Sequence, residues 1–368
     1  MPELPAAFQP RPALLAEIKQ RVLTQASCTT AVVGVSRNAA ATTSAQGMGG
    51  VGKTTVAVQL IRDPEVGHAF KRLLWVSVSQ EPDMLHLLGR LYFQLKSIKL
   101  PASAEGELDA VQLVKEAARG IKVLLVLDDC WEEKHAKLLN CVDPEAGSAC
   151  VITTRIRRLV DGEISCGLLS AEESLLLLLR SAGLDHLVDN PPAAAIAAVE
   201  CCGRLALALP IAGGMIRELA DVWETDLVPL LKGELSEELS VENSIVNASF
   251  RCLENSQRAG AEALFSCFGC FAEDEVVPAA ALDLLAPIVC ERAGITSASK
   301  LKVRKWLGLL LKGSLLSGST TGVSVHDLVR DVMMTRAEAA QGGMVGLQVP
   351  PCLLLSRSLA LFLPNSPD

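Results

Sequence analysis

Nine consecutive residues, GMGGVGKTT at 47–55, combine four glycines, a lysine and two hydroxyls in a pattern suited to holding phosphate. Gly47, Gly49, Gly50 and Gly52 remove the Cβ atoms that would block a tight wrap, so successive backbone N–H groups can turn inward onto phosphate oxygens. Met48 and Val51 complete that backbone cradle. Lys53 adds a point charge toward the β and γ phosphates, Thr54 offers its hydroxyl to Mg2+, and the helix that follows presents its positive end. Thr55 is in reach of an α phosphate.

A second group lies downstream. The apolar run KVLLVLDDCW ends in Asp128 and Asp129. Adjacent carboxylates repel and do nothing for a strand tip. They become useful if Asp128 holds the metal and Asp129 polarises an attacking water; the plainer reading makes one of them a cap for the next helix. Arg155 closes VITTR just past a strand end, where ligands bind in open α/β sheets, so its guanidinium can sense a γ phosphate or stabilise transferred charge.

These groups need a scaffold. TTAVVGV (29–35), RLLWVSV (72–78), KVLLVLDD (122–129) and SACVITT (148–154) are short, β-branched or aliphatic, and bounded by polar or turn residues. They lack polar alternation, which fits strands of a parallel sheet buried on both faces. KTTVAVQLIRD and LDAVQLVKEAARG between them have helical spacing. The fold class expected is therefore α/β. From about residue 170 the pattern turns helical, with AEESLLLLLRSAG and AAAIAAVECCGRLALAL. From about 241 further helices lead to GSLLSGSTTGVSVHDLV, a short hairpin feeding a helix, which suggests a winged-helix module. The expected divisions are a linker helix at 1–27, a nucleotide-binding domain at 28–168, a helical domain at 169–240, a winged-helix domain at 241–340 and a tail at 341–368.

Composition narrows the class. With 368 residues, 50% of them hydrophobic and 21% charged, the chain can bury two or three cores. The 34 basic and 42 acidic residues leave a net charge of −8, which opposes non-specific nucleic-acid binding. The run RIRRLV (155–160) reads as a solvated loop, and KLKVRKWLGLLLK (300–312), with Trp306, as an amphipathic helix. Twelve cysteines at irregular spacing, with an opening that lacks signal-peptide character, point to a reducing compartment and a cytoplasmic location. Cys267 and Cys270 form a lone CxxC read as core packing, since zinc needs four ligands. The longest apolar run, LLLLL at 175–179, is far too short to span a bilayer, and no membrane partner is expected.

Together these motifs resemble the NB-ARC module of plant disease-resistance and animal apoptosome proteins, among the signal-transduction ATPases called STAND. The resemblance runs from about residue 8 to about 336. GMGGVGKTT is similar to that family's phosphate loop, FKRLLWVSVSQ to its next strand motif, KVLLVLDDCW to its LDDVW segment and VITTR to its TTR sensor. LFSCFGCFAEDEVVP resembles its CF…FPED…IP stretch, and VSVHDLVRDVM its MHD motif with Val325 in place of Met. The resemblance implies a P-loop NTPase parallel sheet with helices on both faces, followed by helical and winged-helix domains. It also implies that His326 reaches the β phosphate of ADP, with Asp327 steadying it, and that Arg11 in FQPRPALLAEI flanks the adenine. The family's GLPLAL appears as GRLALAL, which puts Ala206 at the proline position against adenine; a rival register through ALPIA uses Pro210. SRNAAATTSAQ between the first strand and the loop departs from the pattern, and no leucine-rich, WD40 or tetratricopeptide pattern follows.

The resulting expectation is a switch binding ADP or ATP with Mg2+, closed with ADP, open and self-associating with ATP, hydrolysing slowly, and engaging signalling proteins whose identity the sequence leaves open. The rivals are a P-loop ATPase with ordinary turnover, a STAND-type DNA-binding regulator, and a degenerate fragment that binds nucleotide without signalling.

Overall fold

In the computed structural model, residues 4–5, 7–24, 28–34, 49–101, 104, 106–160, 162–235, 239–271, 276–295, 297–319, 322–326 and 329–333 are described. They form two compact units. The first comprises the described residues up to Leu177 together with Arg204–Leu207; the second comprises Leu178–Gly203 and the described residues from Ala208 on.

The first unit is built on a sheet. After α1 (Pro12–Thr24) come β1 (Thr29–Gly34), α2 (Lys53–Arg62), α3 (Pro64–Ala69), β2 (Arg72–Ser79), α4 (Met84–Lys96) and α5 (Glu107–Ala118). Then follow β3 (Val123–Cys130), α6 (Glu133–Leu139), β4 (Ala149–Thr154) and β5 (Glu163–Cys166). The strands run parallel in the order β2-β3-β4-β1-β5. The four strands expected from the sequence are present within a residue or so of their predicted ends. β5 is an addition, four residues long, and Gly162 lets it in. That glycine's carbonyl accepts from the N–H of Ala31 at 2.8 Å, and a Cβ there would sit 2.6 Å from the Thr29 carbonyl oxygen.

The period-two alternation of β3 explains how it serves two faces. Val123, Leu125 and Leu127 join a core with Leu88 and Leu91 of α4 and Val114 of α5. Leu124, Val126 and Asp128 point the other way, toward α2, which packs on β1, β3 and β4. Helices therefore cover both faces, as the α/β reading requires. Local chemistry sets the helix ends. Asp63 caps α3 through the N–H groups of Glu65 and Val66 with Pro64 in the first turn, and Lys19 bridges to Asp63 and Glu65, tying α1 to α3. The edge strand β2 is shielded where Gln94 of α4 accepts from the Trp75 N–H at 3.0 Å and donates to its carbonyl at 2.9 Å.

α7 (Ala171–Ala182) leads toward a run of helices, α8 (Ala193–Cys201), α9 (Ala208–Leu219), α10 (Trp223–Glu234), α11 (Val241–Arg251) and α12 (Asn255–Cys267). After β6 (Val277–Pro278) come α13 (Ala279–Leu284), α14 (Ala286–Arg292), α15 (Lys300–Lys312), β7 (Ser317–Gly318) and β8 (Gly322–Ser324). β7 and β8 form the expected hairpin, and β6 joins them in an antiparallel order β6-β8-β7. α15 buries Val303, Trp306, Leu307 and Leu310, the i, i+3, i+4, i+7 face that its sequence announces. Trp306 packs against α12 at Gly260, where a Cβ would fall 2.0 Å from the indole. Among the described residues no helix is long and apolar enough to cross a membrane. The described cysteines are free, and burial pushes the thiols of Cys130 and Cys141 up to about 11, consistent with packing rather than chemistry. Cys267 is among the buried ones, while the side chain of Cys270 lies outside the described set.

Gly260→Ala forces Trp306 out of its slot and is expected to destabilise the second unit by about 1–3 kcal/mol. Urea unfolding followed by tryptophan fluorescence checks this; an unchanged midpoint contradicts the packing.

Candidate functional site

At the start of α2 the chain is set for a ligand. Gly50 and Gly52 hold φ of +66° and +95°, a region that side chains rarely adopt. Gly52 is the N-cap and supplies no side-chain bond, so the first-turn amides of α2 are not capped by that residue. The loop is braced from the segment Arg204–Leu207: the Leu207 N–H donates to the Gly50 carbonyl at 3.0 Å, and a Cβ on Gly52 would lie 3.5 Å from the Ala206 Cβ. The same segment returns toward β5, where the Leu169 N–H meets the Arg204 carbonyl at 3.4 Å. Gly47 and Met48 lie outside the described residues.

Lys53 is buried at the head of α2, and that burial holds its ammonium below the ordinary lysine value of 10.5. The Arg155 cation pushes the same way, and Cys166, Asp129 and Asp128 oppose it. One residue on, Thr54 donates its hydroxyl to Asp128 Oδ1 at 2.9 Å. Thr153 of β4 donates to the same oxygen, so two hydroxyls from two elements converge on a carboxylate that is 2% exposed. Thr55, half-buried, occupies the same first turn, and Val51 is buried in the loop. A hydroxyl and a carboxylate side by side suit Mg2+, which takes one or two protein oxygens and completes its shell with phosphate and water.

Asp129 has a different environment. Its φ of +50° is left-handed, an outlier of the kind that concentrates at functional sites. Its N–H donates to Thr153 Oγ1 at 2.9 Å, so that threonine serves both acidic neighbours. The carboxylate accepts from Trp131 Nε1 at 2.8 Å through Oδ2 and pairs with Arg155 Nε at 3.5 Å through Oδ1. The Arg155 guanidinium lies over the Trp131 ring, 4.9 Å from its centroid. Thr154 steadies the turn by donating to the Cys130 carbonyl at 2.6 Å.

Arg11 enters from the N-terminal side. Its guanidinium, 9% exposed, donates to Cys166 Sγ at 3.0 Å and to the Gly167 carbonyl at 2.7 Å. The Cys166 thiol in turn faces the Val51 carbonyl at 3.8 Å, linking the linker, β5 and the phosphate loop. Burial pushes that thiol up, while Arg11 and Lys53 pull it down.

The structure thus brings together Gly49, Gly50, Val51, Gly52, Lys53, Thr54, Asp128, Asp129, Arg155, Arg11 and Ala206 within the first unit. Pro210 and His326 belong to the second. Pro210 is half-buried in α9. His326 is exposed just past β8, and its carbonyl accepts from the Arg330 N–H at 2.9 Å. Asp327 lies outside the described residues. Of RIRRLV, read as a solvated loop, only Arg157 and Arg158 are exposed; Arg155 turns onto Trp131 and Asp129, and Leu159 is buried. Sequence reasoning missed Thr153, Trp131 and Cys166. The first two sit inside quoted motifs and could have been found from strand register; Cys166 carries no such signal.

Known proteins resemble this chain in sequence and in fold. The family model described as the NB-ARC domain matches residues 35–185. The chain is 34% identical over 185 residues to the putative disease resistance protein RGA4 of Solanum bulbocastanum, covering 46% of this chain and 18% of that protein. It is 27% identical over 304 residues to the probable disease resistance protein At5g04720 of Arabidopsis thaliana, covering 78% and 35%. In structure it is similar to a STAND protein with a tetratricopeptide repeat sensor from Pyrococcus horikoshii, with a TM-score of 0.57 and 17% identity over 98% of this chain and 47% of that one. The chain therefore spans about a third or less of the length of these curated relatives. The NB-ARC module recognised in the motifs is borne out over residues 35–185, where the chain matches that domain and is similar to disease resistance proteins.

Replacing Lys53 has two opposite consequences. Because the folded state binds that proton less readily than the unfolded chain, its contribution to stability rises with pH up to the ordinary lysine value. Lys53→Met is expected to raise the melting temperature of nucleotide-free protein at pH 7 and to abolish the further rise on adding ADP. Thermal scans with and without ADP check both signs; a variant that ADP still stabilises contradicts the site.

Proposed function

We propose that the chain is an ADP/ATP-operated switch of NB-ARC type acting in defence or cell-death-like signalling, not an enzyme of rapid turnover. The observation that carries this reading is the state of Asp129. Both of its carboxylate oxygens are engaged, one by Trp131 and one by Arg155. A base that activates water needs an acceptor free at the attacking position. Hydrolysis through Asp129 then has to wait until Arg155 leaves the carboxylate, which suits a latch that resets rather than a catalyst that cycles.

In this reading the amides of residues 47–52 cradle the phosphates, Lys53 neutralises the β and γ groups, and Thr55 reaches the α phosphate. Thr54 and Asp128 hold Mg2+, which screens phosphate charge when bound. Arg155 reads the γ phosphate. Ala206, seated against Gly52, is the better placed of the two adenine candidates, since Pro210 belongs to α9 of the other unit. With its guanidinium turned onto Cys166 and Gly167, Arg11 flanks the base through its stem and backbone.

The divisions at 1–27, 28–168, 169–240, 241–340 and 341–368 describe the switch parts, the fourth a winged helix built around the β6-β8-β7 sheet. His326 contacts the β phosphate of ADP in the closed form, and ATP opens the chain to self-association and to signalling proteins. The location is cytoplasmic. The DNA-binding reading is disfavoured by α15, whose Val303, Trp306, Leu307 and Leu310 face the core rather than a groove.

Two measurements test the switch. Sedimentation of the protein with ADP and with a slowly hydrolysed ATP analogue is expected to give a larger species only with the analogue. His326→Ala is expected to release ADP about tenfold faster, the loss of one hydrogen bond to a charged group. Identical sedimentation in both nucleotides, together with an unchanged release rate, contradicts the proposal.

A further inference from the structure

Asp129, Trp131 and Arg155 close a three-membered ring of contacts at the crest of the sheet. The indole N–H meets one carboxylate oxygen at 2.8 Å, the Arg155 Nε meets the other at 3.5 Å, and the guanidinium rests 4.9 Å from the indole centroid. Each member touches the other two. The arrangement depends on the left-handed Asp129, because an extended residue there would send the carboxylate to the opposite face from its neighbour's. Asp129 and Arg155 are only 14% and 11% exposed, so their attraction is less screened than that of a surface pair.

From these contacts we propose that Trp131 is a positioning residue that sets the preference for ADP over ATP, by parking Arg155 against Asp129. The inference rests on the switch reading and names the device that biases it. ADP and ATP differ by a γ phosphate. To reach that phosphate, Arg155 must give up the indole face and the carboxylate together. Arg155 directly follows β4, whose Thr153 meets the Asp128 carboxylate that Thr54 of the first turn of α2 also reaches, so Arg155 leaves the sheet at the same end as the phosphate loop. ATP therefore binds against the strength of the parked state, whereas ADP binds with the ring of contacts intact.

Trp131→Leu removes both the indole donor and the ring face. It is expected to raise affinity for a slowly hydrolysed ATP analogue relative to ADP by about three- to thirtyfold, the range of a partly desolvated cation–π contact. The ADP dissociation constant is expected to stay within about twofold of the parent, about 0.4 kcal/mol on the tenfold-per-1.4 kcal/mol scale. Trp131→Phe keeps a ring under the guanidinium and falls between the two. In an Arg155→Gln background the tryptophan substitution no longer changes the ratio, an outcome that a general packing defect would not produce.

The experiment is calorimetric titration of nucleotide-free full chain with Mg2+ and either nucleotide, for the parent, Trp131→Phe, Trp131→Leu and the two double variants with Arg155→Gln. A ratio that does not move in either single variant overturns the proposal, as does a shift that persists without Arg155. If the leucine variant does not fold, the phenylalanine variant decides the same question on a smaller shift. A parent that binds neither nucleotide is a different result: it removes the switch reading itself.

Discussion

A carboxylate buried at the end of β3 governs the arrangement of the first unit. Asp128 is almost fully withdrawn from water, and such a group is tolerable only when its oxygens are hydrogen-bonded or metal-bound. The Thr54 and Thr153 hydroxyls both donate to it, one from the first turn of α2 and one from β4. Hydrogen bonds to an ionised acceptor contribute about 1.5–3 kcal/mol each. Satisfying this one group therefore fixes the register of β3 against β4 and the seating of α2 beneath the loop. Thr153 also accepts the Asp129 N–H, so the same threonine passes the constraint on to the neighbouring acid.

From that point the two acids diverge in role although they are adjacent in sequence. Asp128 faces α2 with Leu124 and Val126 because alternation along a strand allows nothing else. Asp129 would face away if it remained extended. The left-handed backbone at Asp129 instead brings its carboxylate to Trp131 and Arg155, at a conformational cost of about 1–3 kcal/mol. That cost is offset by contacts that also hold the arginine. In the proposed switch, the restraint on turnover and the preference between nucleotides both come from this one backbone choice.

Much of this was legible in the sequence, and the exceptions have physical reasons. The phosphate loop, the paired acids and four strands could be read because glycine, adjacent carboxylates and unbroken aliphatic runs each have few structural uses. β5 could not, because Glu163–Cys166 is short and partly polar; what makes it a strand is the close passage of Gly162 along Thr29, a tertiary fact. The link from Arg11 to Cys166 joins residues 155 positions apart and has no local signature. The return of Arg204–Leu207 to the first unit is likewise invisible, since it depends on backbone bonds to Gly50 and Leu169 rather than on side-chain pattern. The role of Trp131 has no signature in KVLLVLDDCW: its contact needs the left-handed Asp129, which no propensity scale announces.

The central claim is that the site holds nucleotide and turns it over slowly. The most direct measurement is to denature freshly purified protein, identify and count the released nucleotide, and follow ATP turnover on the same batch. Near-stoichiometric ADP with negligible turnover is the result the account predicts. An empty site with rapid multiple turnover would contradict it.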